Sequence, residues 1–269
     1  VVVFHDPYPH AWYDGKPAGI HKNEFLRLNK MIKVAEQAKV CCATAYYMAK
    51  DLQYLYVSDK YFHTLPHYFE MDGFDLSEKD KVRHKEKIFQ LSYHGALMFG
   101  RNITNVLEAY TQLLEENPDL RNKTEFILRV KGDGIKELKQ KFGQTKNIEI
   151  LDCLNFSNSA NEQMFESDIN VILENGPYYC NILPGKVPFL AFIGKPVLVV
   201  SPERSELRRI MGNEKKYIAD MNNVEDIKSK LEKLIEFWME SNEPVNPFGD
   251  YFSDASFKKR MDTILGIKE

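Results

Sequence analysis

Two cationic side chains stand where a parallel sheet would present a ligand. Lys186 lies in the stretch Asn181-Ile182-Leu183-Pro184-Gly185-Lys186, between two short apolar runs, Ile169–Leu173 and Val197–Val200, that read as buried strands. A small-residue turn feeding a helix at the carboxyl end of such a strand leaves backbone N–H groups free, and the helix dipole favours an anion there. Lys186 adds a full positive charge, which makes the chemistry that of a phosphate or diphosphate site. Arg101 follows a second strand-like run, Ile88–Tyr93, and the turn Gly95-Ala96-Leu97. If both turns sit on one sheet edge, Gly95 lets a ligand approach the backbone. Arg101 then acts as a fork and Lys186 as a point charge on either side of a diphosphate. The bland alternative is a surface-capping Arg101 and a solvated Lys186.

Other constellations are weaker. His5-Asp6 closes the first apolar run and enters a loop rich in Pro and Gly. Such a pair is commonly a hydrogen-bonded turn, although strand ends of α/β sheets also carry catalytic groups. His63 and His67 have metal-ligand spacing for a helix, but Pro66 would break that helix. Gly132-Asp133-Gly134 follows a strand, yet Glu137 occupies the third glycine position of a dinucleotide fingerprint, and its carboxylate would repel a pyrophosphate. No stretch reads as a Walker loop.

The elements that must position these groups alternate strand and helix. The first block runs Val1–Phe4 (strand), Asn23–Lys39 (helix, with Phe25, Leu28, Ile32 and Ala35 on one side), Val40–Ala45 (strand), Met48–Tyr56 (helix) and Tyr61–Leu65 (strand). A charged stretch, Asp72–Lys87, reads as a solvated linker. The second block has strands at Ile88–Tyr93, Glu125–Val130, Ile148–Leu151, Ile169–Leu173 and Pro196–Val200, with helices at Asn102–Glu116, Asn161–Glu166 and Val224–Met239. Ser205 is expected to cap a helix start. Strands spaced by helices in this way indicate right-handed βαβ crossovers and a parallel sheet, which binds ligands at the carboxyl ends of its strands. The tail Asn246–Glu269, set off by Pro244 and Pro247, carries enough apolar residues that its helix must dock on something.

Composition narrows the classes. The 269 residues carry a net charge of −3, so bulk electrostatics favour neither nucleic acid nor an anionic membrane surface. No run of about 18 apolar residues exists, so a membrane-spanning helix is not expected. The four cysteines, Cys41, Cys42, Cys153 and Cys180, lack metal or redox spacing and suggest buried, reduced thiols in a cytoplasmic protein. The chain opens on Val1-Val2-Val3-Phe4, already inside an apolar run, and is expected to be a fragment whose upstream part is missing.

Taken in order, Tyr93–Asn105, Val130–Gly134, Ser167-Asp168-Ile169, Asn181–Val199 and His5-Asp6-Pro7-Tyr8 resemble the GT-B glycosyltransferases. The resemblance is to the large group of retaining, nucleotide-sugar-dependent enzymes called glycosyl transferases group one. It covers most of residues 88–240 and, more loosely, residues 1–70. It implies an α/β fold: a Rossmann-like parallel sheet with helices on both faces, plus a truncated second α/β domain. On that reading residues 1–76 are a remnant of the acceptor-side domain and 77–87 a linker. Residues 88–243 bind the nucleotide-sugar, and 244–269 form a tail whose helix packs back on the first domain.

The resemblance also assigns roles. Arg101 and Lys186 look like the pair that holds the diphosphate, and Gly95 and Ala96 like the turn beneath it. Leu154, Asn155 and Phe156 look like the loop beside the base. Asn181, Ile182, Leu183 and Pro184 look like the backbone facing the sugar. His5, with Asp6 beside it, looks like the histidine lining the sugar site, and the two are the candidate catalytic groups. Many members of the family carry two glutamates eight positions apart, the second binding ribose hydroxyls; here those positions are Asn181 and Phe189. The implied activity moves a sugar from a UDP- or GDP-type donor to a glycan or lipid-linked acceptor in polysaccharide biosynthesis. It uses no metal or other cofactor, and any peripheral membrane contact falls to the missing region. The activity of this piece by itself is left open. The rival reading is a non-catalytic module that binds a sugar nucleotide or a partner protein.

Overall fold

A computed structural model describes residues 1–7, 22–70, 88–241 and 243–267. The Pro- and Gly-rich loop expected after Asp6 and the charged linker fall almost wholly outside these residues. The first block forms a three-stranded parallel sheet in the order β1 (Val2–Phe4), β2 (Cys41–Ala43), β3 (Phe62–Thr64). Its crossovers are α1 (Lys22–Gln37) and α2 (Tyr46–Leu55). Leu28 and Ala35 of α1 are buried as their spacing requires, whereas Phe25 is exposed, contrary to expectation.

The second block builds a six-stranded, all-parallel sheet with helices on both faces. Its strands are β4 (Phe89–Leu97), β5 (Thr124–Gly132), β6 (Ile148–Asp152), β7 (Ile169–Leu173), β9 (Val197–Ser201) and β11 (Ile218–Asp220). They lie in the order β11-β9-β7-β4-β5-β6. Strands β7 and β9 are buried at every position and mostly apolar, as strands covered on both faces are; β4 also buries the polar Gln90, Ser92 and His94. The order reverses between β4 and β7, and the loops after those two strands bracket the carboxyl edge. A short parallel pair, β8 (Tyr179–Cys180) with β10 (Arg204–Ser205), lies outside this sheet.

Helices α3 (Thr104–Glu116) and α8 (Val224–Ser241) bury stripes at helical spacing: Val106, Leu107, Tyr110, Leu113 and Leu114 on one, Ile227, Leu231, Leu234, Ile235 and Trp238 on the other. The short α4 (Ile135–Phe142) links β5 to β6 and buries Leu138 and Phe142. Asp168 ties the amino-terminal edge of the sheet together, accepting from Gln90 N at 2.8 Å and from Trp238 Nε1 at 3.4 Å.

Three boundaries differ from expectation. Strand β4 does not end before Gly95. It pairs with β5 as far as Leu97 opposite Gly132, so Gly95, Ala96 and Leu97 belong to the strand and not to a turn. Helix α5 (Phe156–Asn161) starts five residues before the expected Asn161, because Asn155 caps it by accepting from Asn158 N at 2.8 Å; a wider helical turn follows at Glu162–Glu166. Helix α6 (Val187–Phe192) has only six residues, and Lys186 is its capping residue. Helix α7 (Glu206–Met211) is capped by Ser205, as expected.

The two blocks touch through specific side chains. Helix α9 (Asp254–Leu265) buries Ile264 against Cys42 and Leu65, with Phe257, Met261, Val3 and Val40 around them. Phe69 sets its ring 5.3 Å from Phe189 and 5.1 Å from Phe192. None of the described helices is long and apolar enough to cross a membrane.

Candidate functional site

Strand β4 delivers Tyr93, His94 and Gly95 to the carboxyl edge. The loop that follows folds back tightly. Gly100 adopts φ +76°, and a Cβ there would lie 2.4 Å from the Gly176 carbonyl oxygen, so only glycine lets this loop press against the one after β7. That approach aims Arg101. Its Nε donates to Asn175 Oδ1 at 3.0 Å and one terminal nitrogen to the Ala96 carbonyl at 3.1 Å, where the Tyr93 hydroxyl also donates at 3.2 Å. Arg101 and the Tyr93 hydroxyl thus meet on one carbonyl oxygen.

Lys186 reaches the same residue from the other side. Its Nζ lies 4.6 Å from the centre of the Tyr93 ring and donates to the carbonyls of His94 (3.0 Å) and Val171 (3.1 Å), which leaves one N–H. Arg101 and Lys186 therefore share Tyr93 as a common support. Burial, with the Arg101 charge added, pushes Lys186 down to about 7. An anion between two such cations relieves both penalties at once.

Beside Lys186 opens a cavity of about 320 Å³. Gly95, Leu154 and Phe156, all expected at the site, line it together with Lys186 and Phe189. His94, Arg129, Cys153, Ser159 and Gln163 line it too, and sequence reasoning missed them. His94 is 5% exposed; its Nδ1 pairs with Ser159 Oγ at 2.9 Å, and its Nε2 is 3.6 Å from Glu162. Burial, then the Lys186 and Arg129 charges, push His94 down to about 3, so the ring is neutral. Arg129 forks onto Glu162, with Nε 3.0 Å and a terminal nitrogen 2.8 Å from Oε2. The signal for His94 was its place beside Gly95 at a strand end; nothing local announced Arg129.

The remaining expected residues divide. Asn181, Leu183 and Pro184 are buried, and the Leu183 side chain belongs to the core, so this segment can meet a ligand only through its backbone and the half-buried Ile182. The Asn181 amide is committed elsewhere, donating to Asp51 Oδ2 at 2.7 Å. Asn155 serves as the α5 cap. His5 and Asp6 are exposed at the carboxyl end of β1, where the His5 ring stacks on His67 at 5.2 Å. Among the described residues, no group of three or more His, Cys, Asp or Glu could hold a metal ion.

Asp51 and Glu206 are the other unannounced residues. Asp51, on α2, also accepts from the Tyr179 hydroxyl at 2.6 Å, and burial raises its carboxyl. In return Glu206 of the second block accepts from Tyr46 N (3.0 Å) and Tyr47 N (3.2 Å), the start of α2. The Arg204 guanidinium lies 5.0 Å from both the Tyr47 and Tyr179 rings.

No family profile and no curated protein matches this sequence. Solved structures do. HepE of Anabaena, determined in complex with UDP and glucose, is similar over 90% of this chain and 67% of its own, with TM-score 0.68 and 12% identity. TarM of S. aureus, as a point mutant in complex with Fondaparinux, alpha-GlcNAc-glycerol and UDP, is similar over 97% and 50% (TM-score 0.63, 13% identity). A UDP-forming alpha,alpha-trehalose-phosphate synthase from Burkholderia vietnamiensis is similar over 98% and 62% (TM-score 0.57, 9% identity). The chain thus spans between half and two thirds of the length of these three. It has the GT-B glycosyltransferase fold.

Proposed function

We propose that this chain carries the donor site of a glycosyltransferase that moves a sugar from a nucleotide diphosphate-sugar, of UDP or GDP type, to a glycan or lipid-linked acceptor. The observation that carries the reading is the meeting of Arg101 and Lys186 around Tyr93, with Lys186 beside a cavity lined by Gly95, Leu154 and Phe156. The diphosphate gathers negative charge as it leaves, and two preset cations stabilise that charge more in the transition state than in the ground state. They serve where other enzymes use a metal ion. On this reading residues 88–243 form the donor domain, 1–76 part of the acceptor side with His5 and Asp6 at its rim, and 244–269 the returning tail. Retention of anomeric configuration, a role in polysaccharide biosynthesis and a cytoplasmic setting belong to the same proposal. That neighbours of this fold were solved with UDP supports the nucleotide part.

Calorimetric titration with UDP, GDP and their sugars tests it. One nucleotide is expected to bind, and Lys186→Ala to abolish that binding without loss of fold by circular dichroism. Unchanged affinity in Lys186→Ala removes the site. Phe189, an apolar residue where many relatives in this fold family carry a carboxylate, favours the rival of a binding module without turnover. Release of UDP from a bound UDP-sugar, measured with and without glycan acceptors, separates the two.

A further inference from the structure

The cavity beside Lys186 is lined by one polar group that the fold leaves unanswered. His94 is 5% exposed, and among the described residues its Nε2 has no hydrogen-bond partner. Glu162 Oε1 lies 3.6 Å away, too far for a hydrogen bond, and Arg129 already holds that carboxylate. A buried nitrogen without a partner costs free energy, which a ligand that pairs with it would remove.

The His94 ring is held in one orientation and one tautomer. Ser159 Oγ accepts from Gln163 Nε2 at 3.2 Å, which leaves its O–H to donate to His94 Nδ1 at 2.9 Å. The ring proton then sits on Nε2, the nitrogen nearer the Glu162 carboxylate. Lys186 and Arg129 line the same cavity, and Lys186 Nζ donates to the His94 carbonyl at 3.0 Å, so ammonium and imidazole belong to neighbouring groups. Lys186 keeps one N–H, and Arg129 keeps one terminal nitrogen outside its fork on Glu162. A third charge beside these two cations would be repelled, and burial adds to that penalty; a neutral imidazole supplies an N–H without it. Three uncommitted donors around one hollow suit a ligand group that only accepts, and a phosphoryl group is of that kind.

We infer that His94, on the nucleotide-sugar reading above, is a further ligand-binding residue, whose Nε2–H donates to a phosphoryl oxygen of the diphosphate held by Lys186. Nitrogen NMR of protein labelled at histidine tests it. Saturating UDP is expected to shift the His94 Nε2–H signal while the ring stays neutral, with one nitrogen protonated and the other not. A signal that stays in place at saturation overturns the inference. Calorimetry separates contact from packing. His94→Phe, which keeps a ring but no donor, is expected to weaken binding of UDP and of inorganic pyrophosphate by about tenfold or more. His94→Gln, which can return an N–H near the Nε2 position, is expected to recover part of that loss. Unchanged UDP affinity in a folded His94→Phe overturns the contact. A loss for UDP alone, with pyrophosphate unaffected, overturns its assignment to the phosphates. If neither variant folds, the wild-type nitrogen signal decides alone. Should neither UDP nor GDP bind the wild type, the nucleotide reading itself has failed and this inference with it, a result distinct from binding that leaves His94 untouched.

Discussion

Lys186 carries its charge in a place that resists it. In an unfolded chain a lysine keeps its proton to about pH 10.4, whereas here burial and Arg101 bring it down to about 7. Between those values the unfolded state binds more protons, so this residue makes stability rise with pH over that window. A bound diphosphate has the opposite effect, because it favours the protonated ammonium and draws a proton back in. Affinity for UDP is therefore expected to fall by about tenfold or more between pH 7.5 and 9.5, a range in which the phosphate itself no longer titrates. Lys186→Arg, which cannot lose its charge, is expected to flatten that profile; calorimetry at the two pH values reads both. The convergence of Lys186 and Arg101 at one sheet edge was legible in the sequence, because small residues and strand ends mark such edges locally. Asp51 and Glu206 were not, since their partners lie 130 and 160 residues away and no local pattern encodes the pairing.

Among the elements, α2 shows how one block completes another. Its capping residue, Ala45, has only a methyl group and cannot accept a bond, and Glu206 supplies both bonds from the far block, placing a carboxylate at the positive end of the helix dipole. Glu206 also holds Arg209 at 2.6 Å. Glu206→Ala is expected to cost about 1–2 kcal/mol, the worth of a strong cap. At about 2–4 °C per kcal/mol for a chain of this size, thermal denaturation would show a clear drop. The positions of most strands were readable, because short apolar runs between turn signals have few other uses. The end of β4 was misread, since Gly95 looks like punctuation when it is in fact held in register by β5 through Leu97. The start of α5 was misread for the reverse reason: Phe156-Ser157-Asn158-Ser159 has no apolar period, and only the Asn155 side chain makes it helical.

Across the whole molecule, the small three-stranded sheet depends on the chain's last helix. Val3, Val40, Cys42 and Leu65 are covered by Phe257, Met261 and Ile264 of α9, and Tyr68 donates to Asp254 at 3.1 Å. Truncation before Asp254 would uncover that apolar face. Hydrogen exchange is expected to speed up across β1–β3 and α2 in the truncated chain, with β4, β5 and β7 much less affected, because those strands are sealed by α3 and α8 instead. Equal loss of protection everywhere would show that the two sheets unfold as one unit.

The carboxylate that Asp51 extends to Tyr179 and Asn181, together with the ring that Phe69 sets against Phe189, bears on any attempt to engineer chimeras. The second block, cut out at residue 88 and grafted onto a foreign partner, would arrive without either brace. The graft must import an acid and an aromatic at matching places, or the turn that carries Lys186 will lose its outside footing.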